Sequence, residues 1–253
     1  MAIDFLRQLD LLDPRQIKEK SVTLVGAGAT GSHIAWYLAQ MGWGDKNQGQ
    51  GILKVFDDDK VEPHNLASQK FSPEHVGMHK VEALKQSIVH NFGFEIEAHP
   101  EKVTNQRNEV SAKYVFLLTD TMSSRKEIFE NCLKFSFATD LVIETRMGLR
   151  DGRVYAFNPN DPNQVGEWKS TLYTDEEAQV SRCGASASII STVTFLSSLA
   201  VGLLVQHFNC TYGNDSLREK GAPMKMWNEI HFSLYPLAMM LRQFGTTTDP
   251  IIF

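Results

Sequence analysis

Cysteine is scarce in this chain: Cys132, Cys183 and Cys210 are the only three in 253 residues. The number is odd, the spacings are wide and no Cys-x-x-Cys pair occurs. This disfavours both a disulfide framework and the common kind of structural zinc site, and a reduced, cytoplasmic setting is expected. Positive charge is not in excess either. The formal net charge is −5, which argues against a protein that works mainly by gripping nucleic acid backbone. A clean membrane-spanning run is missing. The longest apolar stretch, Ile189 to Phe208, is broken by Ser191, Thr192, Ser197 and Ser198 and ends near Gln206-His207, so a buried helix is expected there. The opening Met1-Ala-Ile-Asp-Phe-Leu-Arg carries an early acid and does not read as a signal peptide. Internal repeats and low-complexity tracts are absent. His33, His64, His75 and His79 are scattered among loops and helix starts, so no histidine metal cluster is expected.

What is present is an ordinary globular composition, 42% hydrophobic and 22% charged. Within it the most informative stretch is Ser21-Val-Thr-Leu-Val-Gly-Ala-Gly-Ala-Thr-Gly-Ser-His. A short apolar run, Val22 to Val25, leads into Gly26, Gly28 and Gly31, and an amphipathic run follows from Ile34 to Met41. This is a strand, a glycine-rich turn and a helix start, the context that a nucleotide fingerprint requires. Gly26 permits the tight turn, Gly28 lets backbone approach a phosphate, and Gly31 allows close helix–strand packing. The helix N-terminus then offers unpaired N–H groups to an anion. Taken alone the pattern is a weak signal, because tight turns also use glycine for purely structural reasons.

Alternation of apolar runs and amphipathic segments continues down the chain. Residues 4–19 read as a helix, with Phe5, Leu6, Leu9 and Leu12 at helical spacing. Ile52–Phe56 reads as a second strand, 79–91 as a helix, Glu95–His99 as a strand, Tyr114–Leu118 as a strand, 123–135 as a helix and Leu141–Glu144 as the start of another strand. The order predicts an α/β fold, a doubly wound, Rossmann-like and mostly parallel sheet. After Arg150 the texture changes. Arg146–Phe157 reads as a hairpin with Asp151-Gly152 as its turn. Residues 158–182 read as a long loop, functional or mobile, followed by a helix over 186–208, a polar loop over 211–222 and a late strand from Trp227 to Leu234. No clear linker appears, so one domain is expected over 1–253. It divides into an N-terminal helical arm (1–20), a nucleotide-binding core (21–150) and a crossover loop, long helix and C-terminal strands (151–253).

Asp57 closes the second strand, where an acid in a dinucleotide-binding fold accepts hydrogen bonds from ribose hydroxyls. A nicotinamide dehydrogenase would fit up to that point. The polar cluster that follows, Val61-Glu-Pro-His-Asn-Leu-Ala-Ser-Gln-Lys-Phe, and Lys80 at the head of a helix suit phosphate charge better than a nicotinamide. Nothing after Asp120 suggests a hydride-transfer acid or base.

The combination resembles the ThiF/MoeB family, the adenylating domain related to ubiquitin-activating enzymes. The match runs from Gly26-Ala-Gly-Ala-Thr-Gly31 through Asp57-x-Asp59-x-Val61, Asn65-Leu66-x-x-Gln69 and Val76-Gly77-x-x-Lys80-Val81 to Thr119-Asp120 with Arg125 five residues on. The resemblance implies use of ATP with Mg2+ to adenylate the C-terminal carboxylate of a ubiquitin-like or sulfur-carrier protein. It also implies a homodimer or pseudo-symmetric heterodimer, and in some members a conjugating enzyme downstream. By position, Gly26, Gly28, Ala29 and Gly31 would form the phosphate turn, Asp57 would hold the ribose, and Asp59, Asn65 and Gln69 would line the nucleotide pocket. Lys80 would stabilise phosphates, Asp120 would bind Mg2+, and Arg7, with Arg15 as a competitor, would reach the partner subunit's ATP.

Three departures bear on this, the mildest being Ala29 where many members have glycine. Ser68 stands where the family usually has an arginine that contacts phosphates, with Lys70 as a nearby candidate substitute. The family's paired Cys-x-x-Cys ligands are missing. Cys183, before the long apolar helix, has two readings. It is a nucleophile with a thiol pKa depressed by Arg182 and a helix start, or a small apolar residue at a loop–helix junction. Cys132 shares a helical face with Phe129 and Leu133 and reads as core. Arg146 reads equally as an internal salt bridge or a catalytic group. Other outcomes left open are adenylation of a small molecule or tRNA base, and a catalytically weak nucleotide-binding partner subunit.

Overall fold

The computed structural model describes residues 17, 20–45, 51–177, 189–212, 226–246 and 251–252. Its centre is a sheet of nine strands in the order β3-β2-β1-β4-β5-β6-β7-β8-β9. The strands are β1 (Val22–Val25), β2 (Leu53–Phe56), β3 (Glu97–His99), β4 (Tyr114–Leu117), β5 (Leu141–Met147), β6 (Asp151–Phe157), β7 (Glu229–Leu234), β8 (Leu237–Arg242) and β9 (Ile251–Ile252). The first five pair in parallel and the last four are added antiparallel. All four residues of β1 and of β4 are buried, as expected of parallel strands covered on both faces. β2 and β3 are laid down on one side of β1 and β4 and β5 on the other, all parallel to it, and this change in the direction of winding places a topological switch point at the carboxyl end of β1. Ligands of open α/β sheets bind at such a point.

The helices are α1 (Ala29–Gln40), α2 (Lys80–Phe92), the short α3 (Arg107–Val110), α4 (Met122–Ile128), which runs on into a π turn over Phe129–Leu133, α5 (Pro162–Ser170) and α6 (Ile190–Tyr212). Alternate strand residues separate the core into two layers. Tyr114 and Phe116 of β4 face the side covered by α1, α2 and α6, with Ile34, Leu38, Leu84, Ile88, Leu204 and Phe208. Val115 and Leu117 face the side covered by α4, the π turn and α5, with Ile128, Phe129, Leu133 and Trp168. Cys132 lies in this second layer, and burial pushes its thiol pKa up, so it is core as its helical spacing predicts.

Several expectations change. The stretch 158–182 is not one long loop, because α5 occupies Pro162–Ser170. Its start follows standard helix chemistry: the Asp161 side chain accepts from the Asn163 and Gln164 amides, and Pro162 sits in the first turn. Trp168, fully buried, fastens it to the core. The 146–157 hairpin exists, but Asp151-Gly152 is not its turn. Met147 pairs with Gly152 inside the ladder, and residues 148–150 make the connection. Gly152 is needed for space, since a Cβ there would lie 2.6 Å from the Phe232 ring. β5 continues from its expected start to Met147, and β8 and β9 extend the sheet beyond the late strand placed at Trp227–Leu234.

The long apolar helix α6 has the length and hydropathy of a membrane span. Even so, Leu196, Ala200, Leu204 and Phe208 are fully buried against this chain's own core, while Ser191, Ser198 and Gly202 occupy its exposed face. Burial of this helix therefore does not by itself call for a dimer partner. The expected helix over 4–19, apart from buried Ile17, and most of the 211–222 loop lie outside the described residues.

Candidate functional site

The carboxyl ends of β1, β2 and β4 meet at the glycine turn. Gly26 donates to the Phe56 carbonyl and Leu118 donates to the Val25 carbonyl, both at 2.8 Å. Gly26 adopts φ +111°, and a Cβ there would sit 2.8 Å from the Leu118 carbonyl oxygen. Gly31 is tighter still: an added Cβ would lie 2.0 Å from the Gly26 carbonyl oxygen. A Cβ on Gly28, by contrast, would meet nothing within 4 Å, so the turn is open on that side. α1 begins at Ala29 with no side-chain cap and no acid in its first turn, which leaves its first amides facing that opening. Gly31→Ala is expected to lower stability by about 1–3 kcal/mol, because backbone and not a flexible side chain must move. Urea denaturation checks this, and wild-type stability would mean that α1 can slide away from the turn.

Asp57 is joined to the turn. One carboxylate oxygen accepts the Ala27 amide at 2.6 Å and the other accepts the Asp59 amide at 2.9 Å. Burial raises its pKa, against the opposing effects of the Ala27 amide and Lys80. Each oxygen keeps one acceptor site for a hydroxyl. Asp59 pairs with Lys80 across 2.7 Å, the lysine buried and the aspartate exposed. Asp57, Asp58 and Asp59 are close enough together to share a cation, but two of the three are already engaged in these contacts.

Asn65 accepts the Glu62 amide at 2.8 Å and so closes the 3-10 turn Pro63–Ala67. Gln69 follows on the segment that lies along the first turns of α1, where Lys70 donates its amide to Ser32 Oγ at 3.1 Å. Buried Gln69 Oε1 and, at the end of β4, buried Thr119 Oγ1 lack a partner among the described residues. Groups of that kind are expected to be met by water or a bound ligand. The open Gly28 side of the turn, the first α1 amides and the Asp57 carboxylate are the donors and acceptors that a polar nucleotide would use.

Lys70, the candidate substitute for a cation at Ser68, is directed elsewhere. Lys70 Nζ sits 5.3 Å from the Trp36 ring centroid, along α1 and away from its N-terminus. Buried His33, next to the Ser68 carbonyl, has its pKa lowered to about 4 by burial and by Lys70, so it is neutral at pH 7.

Asp120 is exposed just past β4. Its backbone carbonyl accepts Arg125 Nη1 at 3.3 Å, and Arg125 pairs with Glu144 at 2.7 Å. Glu144 is fully buried and also receives Arg146 and Trp168 Nε1. Arg146 therefore serves as an internal salt bridge. A charged Glu-x-Arg inside an otherwise apolar strand was the available sequence signal for this network. Arg7 and Cys183 lie outside the described residues.

A family model described as the ThiF family matches residues 4–237. Ubiquitin-like modifier-activating enzyme 5 of Caenorhabditis briggsae is 36% identical over 97 residues, covering 38% of this chain and 21% of that protein. The Drosophila willistoni enzyme of the same name is 36% identical over 97 residues, covering 38% and 22%. The matched stretch thus spans about a fifth of those relatives. Among solved structures, PaaA aligns with a TM-score of 0.66 at 16% identity, covering 92% of this chain and 67% of that one. Escherichia coli MccB with ATP aligns at 0.60 and 13%, covering 94% and 67%. At such identities the structures show a shared fold.

Proposed function

Because the chain belongs to the ThiF family, we propose that it adenylates the C-terminal carboxylate of a ubiquitin-like or sulfur-carrier protein, using ATP and Mg2+. The observation that supports this most is that the glycine turn, Asp57, Lys80 and Asp120 all lie at the carboxyl end of the sheet, around the switch point. ATP with Mg2+ supplies an electrophilic phosphorus and charge neutralisation. The residues of this chain then bind and orient. Asp57 accepts ribose hydroxyls. The α1 amides and Lys80 face phosphate charge, and Asn65 and Gln69 line the pocket. Asp120 offers an exposed carboxylate to Mg2+. Such positioning and electrostatic complementarity are the main sources of acceleration in phosphoryl and nucleotidyl transfer.

ATP–pyrophosphate exchange that depends on an added ubiquitin-like protein ending in glycine tests this reading. A covalent thioester on Cys183 is its finer part. If it forms, ATP and the carrier give an adduct that thiol reductant removes, and Cys183→Ser abolishes that adduct while exchange persists. Exchange without any adduct would leave Cys183 structural. One observation favours a second reading, a nucleotide-binding subunit with weak catalysis: Lys70, the candidate substitute for a cation at position 68, lies with its Nζ 5.3 Å from the Trp36 ring centroid. ATP binding without exchange, with every carrier offered, would select it.

A further inference from the structure

The first amides of a helix have no partner within it, and in α4 an outside carboxylate takes them. Asp175 Oδ1 accepts the Met122 amide at 2.6 Å, and both its oxygens lie 3.3–3.4 Å from the Ser123 amide. Asp175 is distant in sequence and belongs to the stretch 171–177 that follows α5. That stretch is fastened along its length. Arg146 donates to the Thr171 carbonyl at 2.7 Å and to Thr171 Oγ1 at 3.0 Å, and Lys126 Nζ donates to the Tyr173 carbonyl at 3.0 Å.

Asp120 is two residues from Met122. The intervening Thr121 accepts the Ser124 amide on Oγ1, and Arg125 holds the Asp120 carbonyl from the buried side. The contacts close a circuit. Glu144 holds Arg125, which holds the Asp120 carbonyl. Asp175 holds the start of α4, and the 171–177 stretch returns through Thr171 and Arg146 to Glu144.

We propose that Asp175 is a positioning residue for Asp120, fixing from outside the turn that presents the Asp120 carboxylate to Mg2+. The proposal rests on the metal role given to Asp120 above. Donation from Ser123 and Met122, aided by Lys126, keeps the Asp175 carboxyl below its usual range, so it is an anion and a full acceptor at neutral pH. If it were removed, the Met122 and Ser123 amides would lose their acceptor, and the Asp120 turn would be held only through the Thr121 cap and Arg125. The carboxylate would then have to be ordered when the ion binds, which weakens binding of the ion without touching the nucleotide itself.

The test is ATP binding to the full chain, measured by calorimetry across a Mg2+ titration, for wild type, Asp175→Ala and Asp175→Asn. Asp175→Ala is expected to raise the Mg2+ concentration at half-maximal ATP binding about tenfold, the loss expected for hydrogen bonds to a charged acceptor. ATP binding in the absence of Mg2+ and the thermal midpoint should stay near wild type. Asp175→Asn keeps one acceptor oxygen for Met122 and should recover part of the loss. An unchanged Mg2+ midpoint in Asp175→Ala overturns the proposal, as does an equal loss of ATP binding with and without Mg2+. Wild-type protein that binds Mg2+-ATP but shows no exchange would sink the adenylation reading alone, and the Mg2+ midpoints would still decide the role of Asp175.

Discussion

Asp120→Ala is expected to lower carrier-dependent pyrophosphate exchange roughly a hundredfold or more while leaving the fold intact. The size follows from the role: removal of one charge-stabilising contact to a transferring phosphoryl group costs about 3 kcal/mol of transition-state stabilisation, and about 1.4 kcal/mol is a factor of ten. The intact fold follows from the surroundings. The Asp120 side chain is exposed, and the contact that fixes the residue from within uses its backbone carbonyl, which alanine keeps. Surface substitutions of this kind usually stay within about 0.5 kcal/mol of wild-type stability. Exchange rates at saturating ATP, set beside a thermal melt, check the prediction. Undiminished exchange removes Asp120 from the reaction. A parallel collapse of the melt would instead make the residue structural.

The parts of this site that lie close together in sequence were legible there. The buried Val22–Val25 strand, the Gly26–Gly31 turn and the α1 start form one continuous pattern, and steric clash explains each closely packed glycine. Contacts that depend on distant chain segments were not legible. Lys80 and Asp59 are 21 residues apart, and their pairing appears only when the head of α2 returns to the end of β2. Asp175 reaches α4 from 53 residues away. α5 was missed because its sequence, Pro-Asn-Gln-Val-Gly-Glu-Trp-Lys-Ser, buries only Trp168 and so carries no helical stripe. The Asp161-Pro162 start was its one local sign. β8 and β9 were missed for a related reason. They lie at the sheet's edge, half-buried or exposed, where inside–outside alternation is weak. The full extent of β5 was not legible because Glu144 and Arg146 interrupt its apolar run, and only the folded chain lets them satisfy each other inside the core.

That internal pairing gives the largest expected effect on stability. Glu144 is fully buried. It accepts Arg146 Nε at 2.8 Å, Arg146 Nη2 at 2.8 Å and Trp168 Nε1 at 2.9 Å, and it pairs with Arg125 at 2.7 Å. One carboxylate thus faces two guanidinium groups that are themselves buried. Burial lowers the pKa of Arg125, and Glu144 is the main opposing influence. Glu144→Ala would strand both cations and the indole N–H in the apolar layer. Loss of one partner from a buried ion pair costs about 3–5 kcal/mol, chiefly because the remaining charge is left uncompensated. Glu144→Gln keeps the shape and one acceptor oxygen, so its loss should be smaller but still clear. Urea denaturation gives both values, and a Glu144→Ala protein within about 1 kcal/mol of wild type would show that water reaches the arginines, against the burial seen here. The substitution should also act beyond its own site. Arg125 holds the Asp120 carbonyl, and Arg146 holds the start of the 171–177 stretch. With one acceptor oxygen left, the two guanidinium groups cannot both keep their orienting partner, so exchange activity should fall in the fraction of Glu144→Gln that remains folded. Asp120→Ala, by contrast, should lose activity with its stability unchanged. Measuring both quantities in both variants therefore separates the group that meets the ion from the network that holds it in place.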